Sequence, residues 1–216
     1  MNKSPQRFVI DGYIVIDNFL SKDEIHQIDE ELQTPPAELA ADRRLLDREW
    51  CRLIAHVVRH RLLKLRLLSL STQPVLCTYF AKNETTNWGV GLHRDLHVPL
   101  RERIDGSPWT NWSDKQKIPH AQAPRDFLSS MLAVQVNLDD CAPNDGGLCV
   151  VPGSHLSADV TAERIECLGS EGCSVVMSPL MLHASAKSTS SRPRRVLHFL
   201  YGPKSLPGGA QWYYSP

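Results

Sequence analysis

The chain has 216 residues, 42% hydrophobic and 22% charged, an ordinary composition for a globular protein of one domain. Lys+Arg and Asp+Glu each total 24, so the formal charge is zero; nothing favours nucleic acid or an anionic membrane as partner, and a small-molecule partner is expected. Met1–Arg7 has no apolar run after its basic residues, the apolar region Leu62–Leu70 is broken by Lys64 and Arg66, and the six cysteines form no C-x-x-C pair, which argues against a secretion signal, a membrane span and a zinc knuckle and for a cytoplasmic protein with free, mostly buried thiols.

Taken in chain order, Tyr13–Asp17 is a β-branched run and reads as a strand. Ser21 with Glu24 three residues later is a capping-box signature, and Ile25, Ile28 and Leu32 follow at helical spacing. A helix is expected over Lys22–Leu32, ended by Thr34-Pro35-Pro36. A second helix is expected from Asp47 to about Leu70, with Trp50, Leu53, Ile54, Val57 and Val58 as its apolar stripe. Arg59, Arg61, Lys64 and Arg66 read as a solvated face rather than a binding patch, because no aromatic or glycine-rich pattern accompanies them.

From Pro74 the character changes. Val75–Lys82, Met131–Leu138, Leu148–Val151, Ser174–Met177 and Arg195–Tyr201 read as strands, with the turn Asn144-Asp145-Gly146-Gly147 among the connections. The expected fold class is α+β, mainly β, with antiparallel strands in a double-sheet jelly roll and helices packed outside. Residues 1–216 are expected to form one domain, with a mostly helical part over 1–72 and the jelly-roll core over 73–216. Residues 97–128 interrupt the strand pattern with Trp109, Trp112, four prolines and no clear periodicity, and are expected to be a lid loop over a site.

The chemistry-bearing pattern begins at Gly91-Leu92-His93-Arg94-Asp95. On an extended segment His93 and Asp95 point to one face, so an imidazole and a carboxylate converge. One further histidine completes a two-histidine, one-carboxylate triad, which leaves positions of iron(II) open. H-x-D alone is weak. His183 ends the apolar run Ser178–Leu182, and Arg192-Pro193-Arg194-Arg195 follows into the strand Val196–Tyr201. An arginine on a strand returning beside the metal can clamp a dicarboxylate through two parallel hydrogen bonds. Arg194 and Arg195 point to opposite faces of a strand, so only one of them serves. A catalytic cysteine has no supporting neighbours.

The chain resembles the phytanoyl-CoA dioxygenase family of iron and 2-oxoglutarate enzymes. The resemblance lies in Phe8–Leu20, in Val136–Leu148 leading into Val151-Pro152-Gly153-Ser154-His155, in the His183 segment and in Arg192–Tyr201. Residues 35–72 and 97–128 carry little of it. It implies a double-stranded β-helix (cupin-like jelly-roll) core, and iron(II), 2-oxoglutarate and dioxygen as cofactor and cosubstrates. It implies His93, Asp95 and His183 as metal ligands, and it selects Arg194, eleven residues after His183, for the cosubstrate carboxylate. Lys82 matches a position close to the cosubstrate, and Gln135 lies on a strand facing it. His97, Trp109 and Trp112 are expected to face substrate, and His155 to be structural.

The resemblance implies oxidation of a small molecule, a secondary metabolite or amino-acid-like compound, with release of succinate and CO2. Asp95 favours hydroxylation over halogenation, because related halogenases have a small residue there. A cupin-like isomerase or hydrolase working without 2-oxoglutarate, and an inactive binding module of the same fold, are the rival readings. The isomerase or hydrolase needs no dicarboxylate clamp such as Arg194, and the intact triad with that arginine argues against the inactive module.

Overall fold

The computed structural model describes residues 5–32, 41–83, 86–105, 108–157 and 163–215. Its elements are α1 (Pro5–Asp11), β1 (Tyr13–Ile16), α2 (Lys22–Glu31), β2 (Ala41–Asp42), α3 (Glu49–Lys64), β3 (Thr72–Lys82), β4 (Val90–His93), β5 (His97–Pro99), β6 (Thr110–Lys115), β7 (Ile118–Gln122), α4 (Arg125–Ser129), β8 (Leu132–Asn137), β9 (Leu148–Val150), β10 (Ile165–Cys167), β11 (Ser174–Met177), β12 (His183–Ser185) and β13 (Arg194–Pro203).

A large antiparallel sheet runs β1-β11-β8-β13-β3-β2, and a smaller one runs β10-β9-β12-β4. Strands β3, β8, β11 and β13 of the large sheet are interleaved along the chain with β4, β9, β10 and β12 of the small one. This is the double-stranded β-helix form of the jelly roll. β1 pairs with β11 from Tyr13↔Met177 to Ile16↔Ser174, so the first strand belongs to the large sheet. The helical part expected over 1–72 therefore contributes a core strand, and no structural boundary falls at residue 72.

The large sheet is buried on both faces. On its outer face Cys77, Tyr79, Val134, Val136, Leu197, Phe199 and Tyr201 pack against Ile25 and Ile28 of α2 and Cys51, Ala55, Val58 and Leu62 of α3. The Tyr201 hydroxyl donates to the Ala55 carbonyl at 2.8 Å. The capping box is formed as expected: Glu24 N donates to Ser21 Oγ at 3.2 Å, and Ser21 N to Glu24 Oε2 at 2.7 Å. The expected stop at Thr34-Pro35-Pro36 lies outside the described residues.

The helix expected to reach Leu70 ends at Lys64. Arg66 adopts φ +58, Arg66 N bonds Leu63 O at 3.0 Å, and Leu67 N bonds Leu62 O at 3.0 Å. That is a Schellman end with arginine where glycine is usual, so the sequence carries no stop signal. Leu53 of the expected stripe is 61% exposed, and Cys51, Ala55 and Leu62 are buried instead. The basic residues are not all solvated. Arg59 donates to the carbonyls of Thr72 and Leu70, both at 2.8 Å, and Arg61 to Glu24 at 2.8 Å and to the Phe19 carbonyl.

Residues 97–128 are not a loop. β5, β7 and β6 form a third antiparallel sheet, followed by α4. The β6–β7 turn is Gln116-Lys117, with φ of 51 and 64, and Asn111 at φ 47 sits in a register shift within β6. Two-residue hairpin turns with positive φ usually hold Asn or Gly; Gln-Lys gave no turn signal. Trp109 is buried, donates to the Pro207 carbonyl at 3.1 Å and meets Phe127 edge-on at 5.3 Å. Among the described residues no helix is long and apolar enough to cross a membrane.

Candidate metal centre

β4 and β12 are neighbours in the small sheet, and His93 lies directly across from His183. Their ring centroids are 4.2 Å apart. His93 Nδ1 bonds the Gly91 carbonyl at 2.9 Å, and His183 Nδ1 the Met181 carbonyl at 3.0 Å. A carbonyl only accepts, so each Nδ1 carries the proton and each Nε2 keeps its lone pair free for a metal. Asp95 lies just beyond β4, not on it as expected. Its N–H donates to the Pro179 carbonyl at 2.9 Å, which ties it to the segment that carries His183.

The Asp95 carboxylate stands between the two rings. Oδ1 is 3.7 Å from His93 Nε2, and Oδ2 is 3.7 Å from His183 Nε2. One ligand atom from each of the three residues lies within 4.8 Å of the others. Oδ2 is buried and has no hydrogen-bond partner. Such an atom is costly unless something completes it. Burial works against ionisation of Asp95, but the imidazoles of His183, His198 and His93 and the Lys115 ammonium hold its carboxyl below the usual range. Two imidazoles and a carboxylate without thiolates suit non-haem iron(II) better than structural zinc, which takes four protein ligands. The residues fit that metal.

The three residues line a cavity of about 390 Å³, toward the small end of the roughly 300–1,000 Å³ usual for ligand pockets. Arg194, at the start of β13, lines it too. It is 5% exposed, and its Nε has no partner. Arg195 turns to the opposite face, where it pairs with both Asp139 oxygens and with Asp29. Of the two arginines, one guanidinium is occupied by carboxylates, and the other lines the cavity.

Lys82 sits across the ladder from Arg194. Its ammonium donates to Ser185 Oγ and the Ala186 carbonyl, both at 2.5 Å, and to the Gly146 carbonyl at 3.3 Å. Burial, and then the Arg194 charge, push it down to about 8. Gln135 lines the cavity from β8, paired in register with His198.

His198 is one of the cavity residues that sequence reasoning missed. Its Nε2 is 3.6 Å from Asp95 Oδ2, and burial lowers its pKa. The available signal was alternation: Arg194, Val196 and His198 share one face of β13, and all three line the cavity. His97 lines the cavity, with Nε2 bonded to the Asn111 carbonyl at 3.1 Å. Trp109 and Trp112, expected to face substrate, do not line it; they pack in the apolar cluster that includes the third sheet. His155 Nε2 bonds the Val9 carbonyl at 3.2 Å, holding α1.

The profile of the family described as phytanoyl-CoA dioxygenase matches residues 8–196. The chain belongs to the phytanoyl-CoA dioxygenase family. This family's members are non-haem enzymes dependent on iron and 2-oxoglutarate, and the chain is an enzyme of that kind. Solved structures share the fold at low identity. The 2-oxoglutarate-dependent epimerase SnoN from nogalamycin biosynthesis aligns with a TM-score of 0.70 and 16% identity, covering 93% of this chain and 79% of that one. HygX from Streptomyces hygroscopicus, with nickel, 2-oxoglutarate and hygromycin B bound, gives 0.65 and 15%, covering 96% and 89%. The non-haem monooxygenase ThoJ, as its nickel complex, gives 0.69 and 19%, covering 100% and 84%. No curated protein matches the chain.

Proposed function

We propose that this phytanoyl-CoA dioxygenase family enzyme oxidises a small organic molecule, a secondary metabolite or amino-acid-like compound, with His93, Asp95 and His183 as its iron ligands. The observation that carries this reading is the convergence of His93 Nε2, His183 Nε2 and the Asp95 carboxylate, one of whose oxygens is buried without a partner.

Iron(II), with 2-oxoglutarate and dioxygen, supplies an oxidant while the cosubstrate becomes succinate and CO2. The chain's own residues bind and orient. The Gly91 and Met181 carbonyls fix the two imidazoles in the tautomer that presents Nε2. Arg194 pairs with the far carboxylate of 2-oxoglutarate, its buried guanidinium offering parallel donors. Lys82 adds positive charge at that end and, by its bonds to Ser185 and Ala186, holds the chain after His183. Gln135 and His198 bound the cavity on the large-sheet side and keep it polar. Phe80, Trp88, Leu96 and Val196 supply apolar walls that exclude water. Asp95 supplies a carboxylate where a halogenase needs space, which supports hydroxylation over halogenation.

A cupin-like isomerase or hydrolase working without 2-oxoglutarate leaves Arg194 unexplained: its buried guanidinium lines the cavity with Nε unpartnered, a donor that an entering anion would complete. Free thiols at all six cysteines support work in the cytoplasm. The test is anaerobic loading with iron(II), then addition of 2-oxoglutarate and oxygen with candidate substrates. Succinate formed in step with oxidised product supports the assignment. Product formed equally well without 2-oxoglutarate contradicts it.

A further inference from the structure

The cavity holds a second pair of cations that metal and cosubstrate binding do not use. Arg43, just past β2, and Lys115, at the end of β6, both line it. They are distant in sequence and are joined by the tip of the third sheet. Gln116 Nε2 donates to the Ala41 carbonyl at 2.6 Å, and Gln116 Oε1 accepts from Arg43 N at 2.8 Å. The hairpin tip thus docks on the strand that delivers Arg43.

Most of the chain's other buried or half-buried arginines are tied to oxygen: Arg94 to Leu180, Ser154 and Ser157, Arg61 to Glu24, Arg195 to Asp139 and Asp29. Arg43 and Lys115 have no ion pair and no side-chain hydrogen bond among the described residues, beyond Arg43 lying over the Phe80 ring at 6.0 Å. Burial lowers the pKa of each; for Lys115 the Arg43 charge adds to this, and the Asp95 carboxylate works the other way. Two half-buried like charges within each other's field, offset only in part by Asp95, are unfavourable to the fold alone. They make sense where a ligand completes them.

Their place is distinct from that of Lys82 and Arg194. β2 pairs with β3 at Ala41↔Phe80 and Asp42↔Tyr79, so Arg43 continues toward the level of Thr78, which faces His198. Arg194 lies four residues from His198 along β13, about 13 Å of strand. The cavity therefore has Lys82 and Arg194 at one end and Arg43 at the level of His198, beside the metal ligands, with Lys115 in the field of Asp95.

We propose that Arg43 and Lys115 form the subsite for an anionic group, a carboxylate or a phosphate ester, on the organic substrate. This rests on the proposed function, in which Arg194 and Lys82 take the cosubstrate. The substrate class is then a small organic anion whose charged group is gripped by this pair while its carbon skeleton lies beside Phe80 and Leu96 at the metal ligands.

The experiment measures binding of three probes, butyrate, butyl phosphate and butanol, by calorimetry or ligand-observed NMR. It uses nickel-loaded protein with and without saturating 2-oxoglutarate. The proteins are wild type, Arg43→Gln/Lys115→Gln, the charge-keeping Arg43→Lys/Lys115→Arg, and Arg194→Gln. The expected result with 2-oxoglutarate present is that one anion binds at least about tenfold more tightly than butanol. That preference disappears in the double glutamine variant and survives in the charge-keeping one, and the better anion identifies carboxylate or phosphate. Equal binding of anion and alcohol to wild type, or an unchanged preference in the double glutamine variant, overturns the proposal. So does a preference lost only in Arg194→Gln, which puts the anion at the Lys82 and Arg194 end. Binding of 2-oxoglutarate itself is read on the same proteins. Its loss in Arg194→Gln alone is expected, and its absence in wild type counts against the proposed function while leaving the anion preference measurable.

Discussion

His93 and His183 face each other across the β4–β12 ladder, and each ring is held by the carbonyl two residues before it. The same local device is used on both sides of one strand pair, so both Nε2 atoms are presented before any cation arrives. Asp95 enters the same space from the chain end of β4, pinned by Pro179. The centre is preorganised by backbone, which is the rigid way to build a metal site.

Replacing Asp95 tests the centre at its anionic member. Asp95→Asn keeps the shape and removes the charge. We expect manganese(II) or iron(II) affinity to fall about 100-fold, at the upper end of what metal-site changes cost, as read by equilibrium dialysis. Asp95→Ala is expected to abolish oxidised product. Unchanged succinate release coupled to product in that variant counts against the assignment.

Arg194 and Arg195 are neighbours with opposite fates, and their substitutions should separate cleanly. Arg194→Lys loses the planar fork and is expected to raise KM for 2-oxoglutarate by about ten- to a hundredfold, with little change in stability. Arg195→Gln leaves Asp139 and Asp29 without their guanidinium, and is expected to cost about 2 kcal/mol of stability with KM nearly unchanged. Denaturant unfolding and steady-state kinetics on both variants check this. The reverse pattern would exchange the roles of the two residues.

Lys82 gives a pH prediction. Its folded pKa is lowered to about 8 by burial and by Arg194, from an ordinary value of 10.5. Between these values the unfolded chain keeps a proton that the folded chain releases, so this group makes stability rise with pH over that window. Below about pH 8 both states are protonated, and the folded state bears the full cost of the buried charge. Lys82→Met should remove this contribution. The difference in unfolding free energy between wild type and variant, measured at pH 7 and pH 10, is expected to shift toward wild type at the higher pH. A difference independent of pH contradicts the account.

Arg66 closes α3 at φ +58, where a side chain is strained. Arg66→Gly relieves that strain at the cost of a more flexible unfolded chain, and is expected to stabilise by about 0.5–1 kcal/mol. Thermal unfolding checks the sign. A loss of stability would show that the Arg66 side chain contributes more than its backbone costs.

Much of the fold is legible because the strands of the large sheet are apolar-rich runs between turn-formers; Ser174–Met177 is delimited to the residue, and Asn144 and Gly146 take positive φ in the turn that Asn144–Gly147 signals. What was not legible lacked local signals. Arg66 ends a helix without glycine, and Gln116-Lys117 turns a hairpin without Asn or Gly. The third sheet therefore looked like a loop, and its tryptophans like lid residues. At the site, His93-x-Asp95 alone is a weak pattern, and it is the family resemblance that singles out His93, Asp95, His183 and Arg194 together. His198, Arg43 and Lys115 are ordinary residues in sequence, and only the pairing of β13 with β8 and the docking of the hairpin tip on β2 bring them to the cavity.

The most direct test of the central claim is a crystal structure grown with manganese(II) and 2-oxoglutarate under anaerobic conditions, with the metal located by anomalous scattering. The account predicts one peak coordinated by His93 Nε2, His183 Nε2 and the Asp95 carboxylate at roughly 2.0–2.3 Å, with Arg194 paired to the far carboxylate of the cosubstrate. Metal bound elsewhere, or a cosubstrate whose carboxylate ignores Arg194, would contradict it.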